Sequence, residues 1–180
     1  YYENVQIDKS LTVNGAGDDK TFVDGTLAGS VFTIGKADPS VNVALSGLTI
    51  TNGCGASLPN NAWTYGGGIY NAGTLGLDGV SITKNTAQAG GGIFNAGTGT
   101  LTMNSGSITG NTAQSGGGIG NWDGTVNLNG CSISGNIANY AGGIENGGTL
   151  TMNGGSVTEN TARQWGGGII NGGDGCIMTM

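Results

Sequence analysis

The chain has 180 residues, enough for one domain with a sizeable core, and 40 of them are glycine. That glycine count suits collagen or a disordered tract, but there is no three-residue glycine period and apolar residues recur in register, which excludes both. A net charge of −6 with five basic residues removes the basic patch that nucleic acid or an anionic membrane needs, and no apolar run reaches the ~18–20 residues of a spanning helix.

Taken in order, residues 4–24 predict a first, less regular coil with strands at Val5-Gln6-Ile7, Leu11-Thr12-Val13 and Thr21-Phe22-Val23. A second coil follows with Val31-Phe32-Thr33-Ile34, Val41-Asn42-Val43-Ala44-Leu45 and Leu48-Thr49-Ile50-Thr51-Asn52. The two prolines, Pro39 and Pro59, fall outside these runs, where a missing donor does no harm. Residues 53–65 lengthen the step from Ile50 to Ile82 to 32 residues and are expected to project as a loop carrying Trp63 and Tyr65.

From residue 66 onward one phrase governs the chain. Gly66-Gly67-Gly68-Ile69-Tyr70-Asn71 returns with its isoleucine at 93, 119, 144 and 169, in steps of 24, 26, 25 and 25. A second phrase keeps the same beat: Ser81-Ile82-Thr83-Lys84-Asn85, then Ser107 to Asn111, Ser132 to Asn136 and Ser156 to Asn160. Between them lies a third short run, Thr74-Leu75-Gly76-Leu77, repeated from Thr100, Thr125 and Thr149. Each run alternates apolar with small polar residues, which is the period of a strand.

Three strands in about 25 residues leave no room for a crossover helix, so each strand finds its parallel partner in the next repeat. The predicted fold is all-β: a right-handed parallel β-helix of about six to seven three-stranded coils, roughly 30 Å long at ~4.8 Å per coil. It forms a single domain over residues 1–180, with irregular opening coils at 1–52, the insertion at 53–65 and regular coils from 66, the last incomplete. Isoleucines 69, 93, 119, 144 and 169 should form one inward ladder; Leu77, Met103, Leu128 and Met152 a second; Ile50, Ile82, Ile108, Ile133 and Val157 a third. Asparagines 71, 95, 121, 146 and 171, and 85, 111, 136 and 160, should stack and exchange amide hydrogen bonds. Cys131 has inward parity and reads as a core residue, whereas Cys54 sits in the insertion and is open to pairing between chains.

The paired Gly-Gly-x-Ile and Ile-x-x-Asn phrases resemble the two repeat motifs of chlamydial polymorphic outer membrane proteins. Adhesin-like surface proteins of bacteria and methanogenic archaea carry repeats of the same style. The opening, Ile7 to Gly15, is similar to the first coils of such β-helix proteins. The resemblance spans nearly the whole chain and implies an extracellular or cell-surface location with structural or adhesive work. It brings no catalytic residues with it.

Function is read from what remains. Catalysis on a polysaccharide, as in pectate-lyase-like β-helices, needs paired carboxylates or acidic metal ligands, and Asp78, Asp123, Glu145, Glu159 and Asp174 lie on different corners and strands. There is no histidine to activate a hydroxyl, and acids are too sparse for a calcium-binding solenoid, so neither an enzyme, a cofactor nor a metal is expected. A binding surface fits better. Tyr65, Ala89, Ser115, Tyr140 and Trp165 precede the glycine phrase and should stack along one corner, while Tyr70, Phe94, Glu145 and Ile170 share the outward position after the isoleucine. Trp63, Tyr65, Tyr140 and Trp165 are the expected contacts to surface glycans or proteins. Two alternatives stand beside this. Outward hydroxyls at Thr49/Thr51, Ser81/Thr83, Ser107/Thr109, Ser132/Ser134 and Ser156/Thr158 make a five-rung array of the kind that orders water, as an ice-binding solenoid would. Strand edges at both ends, with no cap before residue 4 or after 180, suit either a fragment of a longer array or copies stacking head to tail into a filament. The opening Tyr1-Tyr2, in place of Met, fits a processed or excised fragment.

Overall fold

Alternating apolar residues at a 25-residue beat build a parallel β-solenoid of about seven turns, with no helix among the described residues. The structure, a computed structural model, describes residues 1–57, 62–173 and 175–180. Pro59 and Asp174, both singled out in the sequence, lie outside the described residues.

Three sheets run along the axis. The first stacks Val5–Ile7, Phe32–Ile34, Ile69–Asn71, Ile93–Ala96, Ile119–Trp122, Ile144–Asn146 and Ile169–Asn171. The second stacks Leu11–Asn14, Asn42–Ser46, Thr74–Asp78, Thr100–Met103, Thr125–Leu128, Thr149–Met152 and Ile177–Thr179. The third holds Phe22–Asp24, Thr49–Thr51, Val80–Thr83, Gly106–Thr109, Ser132–Ser134 and Ser156–Thr158. Every pairing in these sheets is parallel and joins equivalent residues of consecutive coils, as in Ile93 on Ile119 and Leu77 on Met103.

The core follows from that register. A strand's period of two sends every second residue into the lumen, where Ile69, Ile93, Ile119 and Ile144 are fully buried beside Leu101, Leu128, Ile108 and Ile133. Cys131 joins this column, and burial pushes its thiol up to about 11. Each isoleucine removed from water contributes about 1.5–3 kcal/mol.

The corners explain the glycine trio. The first glycine of each phrase is left-handed, with φ of +59° at Gly66, +62° at Gly90 and Gly116, and +66° at Gly166; Ala141 occupies the same place at +50°. In the first four phrases the next coil excludes a side chain from the second and third. A Cβ on Gly91 would lie 2.5 Å from the Gly117 carbonyl oxygen, and one on Gly92 2.6 Å from that of Gly118.

Two asparagine ladders tie the corners together. Asn71 Nδ2 donates to Asn95 Oδ1 at 2.7 Å, Asn95 to Asn121 at 2.9 Å, Asn121 to Asn146 at 2.7 Å and Asn146 to Asn171 at 2.6 Å. Asn85, Asn111, Asn136 and Asn160 repeat the pattern at 3.1, 3.0 and 2.9 Å. These amides lie largely inside the solenoid, and among the described residues every buried side-chain nitrogen or oxygen has a partner.

Two features depart from the three-strand expectation. The chain between the third and first sheets bulges outward into a short arm, whose strands Ile137–Tyr140 and Thr161–Trp165 pair in parallel. Single bridges Thr86 to Thr112 and Thr112 to Ile137 carry the arm toward the earlier coils. The insertion is not a plain loop either: Ala56–Ser57 pairs antiparallel with Thr64–Tyr65, which returns the chain to the arm.

Candidate binding surface

The column that precedes the glycine phrase does stack along one corner, through bridges from Tyr65 to Ala89, Ala89 to Ser115 and Ser115 to Tyr140, with Tyr140 then paired to Trp165. The four aromatic residues expected to make contacts separate into two groups on this corner. Tyr140 and Trp165 face each other at 5.3 Å between ring centroids with a tilt of 50°, and Trp165 is 70% exposed.

Trp63 and Tyr65 belong to a second apolar cluster outside the lumen. Tyr65, Tyr70, Ala89 and Phe94 are its buried members, with Trp63, Ala72 and Ala96 packed against them. Tyr65 is only 4% exposed, so the expectation of an open contact residue is corrected there. Tyr70 and Phe94 point away from the lumen as the register requires, yet they cluster with Tyr65 and Ala89, and they too are buried. Phe94 lies 4.7 Å from Tyr65 and stacks on Tyr70 at 5.8 Å. Burial raises the pKa of the Tyr70 hydroxyl, and the neighbouring Tyr65 adds to the shift.

Trp122 closes this cluster, and the sequence reading missed it. Its ring meets Phe94 edge-on at 5.1 Å and Tyr65 at 5.7 Å, and its Nε1 donates to Glu145 Oε2 at 3.2 Å. The only signal for it was parity: Trp122 lies two residues after Gly120 and so faces outward from the same strand. Beside it is a depression of about 210 Å³ lined by Tyr65, Tyr70, Phe94, Ala96, Gly97, Trp122 and Asp123.

The acids serve local structure in several places. Asp24 accepts from the backbone N–H of Thr26 and then from Asn52, which lowers its pKa, and Ser40 does the same to Asp38. Asp78 accepts from Ser105 Oγ at 2.5 Å. Among the described residues no three or more His, Cys, Asp or Glu side chains gather to hold a metal ion.

The hydroxyl face of the third sheet keeps strict register from Ser81 through Ser107 and Ser132 to Ser156. At the fifth rung Thr49 turns its hydroxyl onto the Asp18 carbonyl at 2.6 Å and is buried, while Thr51 stays half-buried in register with Thr83. No helix among the described residues is long and apolar enough to cross a membrane. No protein-family model matches the chain, and neither a curated protein nor a solved structure matches it.

Proposed function

We propose that this solenoid is a structural or adhesive element of an extracellular or cell-surface protein, in the style of the polymorphic outer membrane and adhesin-like proteins its repeats resemble. The observation that supports the reading is the division of labour in each coil. The lumen and the amide ladders hold the rod together, while the outward positions of the second sheet reach the surface and vary in chemistry, filled in turn by Thr12, Ala44, Gly76, Thr102, Asn127 and Thr151. A rod of that kind displays side chains at fixed spacing on a surface that hardly deforms, which suits contact with glycans or proteins. Head-to-tail stacking of copies would extend the same rod. At its last coil Met152, Val157 and Ile169 are only partly buried, and a following coil of either origin would cover them.

Beads coated with the purified chain, pulled across cell and polysaccharide surfaces under flow, test the adhesive reading. Retention well above albumin-coated beads is expected, and equal retention overturns it. Negative-stain micrographs of the same preparation read stacking directly, as rods of variable length against rods of one length.

A further inference from the structure

The aromatic cluster contains a residue that the fold does not require. Trp122 pairs in register with Ala96 of the coil before, and Gly147 follows Asn146 at the equivalent place in the coil after. A methyl group and a hydrogen therefore satisfy the solenoid at this position. Trp122 is nevertheless held firmly: two rings meet it edge-on, and its indole N–H is engaged by the Glu145 carboxylate of the next coil. It is still 38% exposed. An exposed ring with its rotamer fixed on several sides is preorganised for contact, since little side-chain freedom is lost when a ligand lands on it.

The surroundings define the ligand. Gly97 is left-handed at +50° and has nothing within 4 Å of where a Cβ would stand, so the space beside the ring is open. The depression of about 210 Å³ is smaller than a drug-sized pocket, ~300–1,000 Å³, and suits one small ring. Its rim carries the exposed Asp123, and Glu145 lies behind the indole; ionised carboxylates only accept hydrogen bonds. A flat aromatic face beside acceptors matches a molecule with an apolar face and a girdle of hydroxyl donors. The competing occupant is a cation over the same indole face, which the titration below distinguishes. An anionic sugar would meet like charge.

The geometry points to a subsite for one uncharged pyranose unit of a glycan, stacked on Trp122 with its hydroxyls directed to Asp123. This rests on the adhesive reading and supplies it with a ligand class. The test titrates the full chain with cellopentaose, chitopentaose, trigalacturonate and tetramethylammonium, following the three indole N–H signals by NMR. A neutral oligosaccharide should shift the Trp122 signal, assigned through Trp122→Phe. Trp122→Ala should weaken its binding about tenfold or more, equivalent to about 1.4 kcal/mol. Asp123→Asn, which a left-handed backbone tolerates, should weaken it severalfold without changing the thermal midpoint. Trp165→Ala should leave it unchanged. The assignment falls if neither neutral oligomer shifts Trp122, if trigalacturonate or tetramethylammonium binds as well, or if Trp165→Ala produces the loss instead. Beads that adhere without neutral-sugar binding would sink the subsite alone, and sugar binding without adhesion would sink the adhesive reading alone.

Discussion

Replacing Asn111 by alanine should destabilise the solenoid far more than replacing Asn129, although both sit in amide ladders of the same geometry. Asn111 is fully buried. Its Nδ2 donates to Ile82 O at 2.9 Å and to Asn136 Oδ1 at 3.0 Å, and its Oδ1 accepts from the backbone N–H of Asn85 at 3.0 Å and from Asn85 Nδ2 at 3.1 Å. In the alanine variant Asn85 Nδ2 keeps Ile50 O, and Asn136 Oδ1 keeps the residue-111 N–H. The Asn85 N–H loses its acceptor at a fully buried residue. One orphaned buried donor costs about 1–3 kcal/mol, and the other lost bonds about 0.5–1.5 kcal/mol each before the coil relaxes. The expected loss is about 3–5 kcal/mol, a large part of a typical domain's stability.

Asn129 donates to Asn104 Oδ1 at 3.0 Å and accepts from Asn153 Nδ2 at 2.9 Å, but these three residues are exposed and water replaces either partner. Its removal should cost no more than about 0.5 kcal/mol. Urea unfolding followed by far-UV circular dichroism reads both values, and hydrogen exchange should show lost protection at the Asn85 amide. Equal effects of the two variants, or less than about 1 kcal/mol for Asn111→Ala, would refute the argument that burial gives the ladder its strength.

Other expectations follow from the same coordinates. Gly92→Ala places a methyl 2.6 Å from the Gly118 carbonyl oxygen and 2.9 Å from Ile108 Cγ2, so calorimetry should show a loss of about 2–3 kcal/mol or more. Ala141→Gly should raise the urea midpoint, with a gain of about 0.5–1 kcal/mol, because the native φ of +50° strains an alanine. Ile119→Ala empties a fully buried place in the lumen and should cost about 2–5 kcal/mol by the same measurement. Cys131 should resist a thiol reagent until urea is added, while Cys54 and Cys176, both partly exposed, react in the native chain. Its folded pKa of about 11 lies above the ordinary value of 9.0, so the unfolded chain releases this proton first. The Cys131 contribution to stability should therefore be constant below pH 9.0 and decline as pH rises from there to about 11, a dependence absent from Cys131→Val.

Much of the rod was legible residue by residue. Ile93 lies on Ile119 and Ile108 on Ile133 because coils of nearly equal length, stacked in parallel, place like on like. The asparagine ladders followed from the same repetition. The arm was harder to see: Ala87, Ala113 and Ala138 carry too little apolar character to announce a strand, and long-range pairing alone defines it. The aromatic site was read only in part. Tyr65 looked like a surface residue because its position is outward, but whether an outward ring is open depends on what lies over it.

The sequence by itself determined the period, the parallel register and the inward ladders, since each is set by spacing and alternation along the chain. Only the tertiary structure decided which rings are covered and which face solvent. Tyr65, Phe94 and Trp122 come from three successive coils, and Glu145, which holds the indole, from a fourth. Packing outside the lumen has no repeating template, so the direction in which those side chains lean is fixed by their neighbours across coils rather than by their order in the chain.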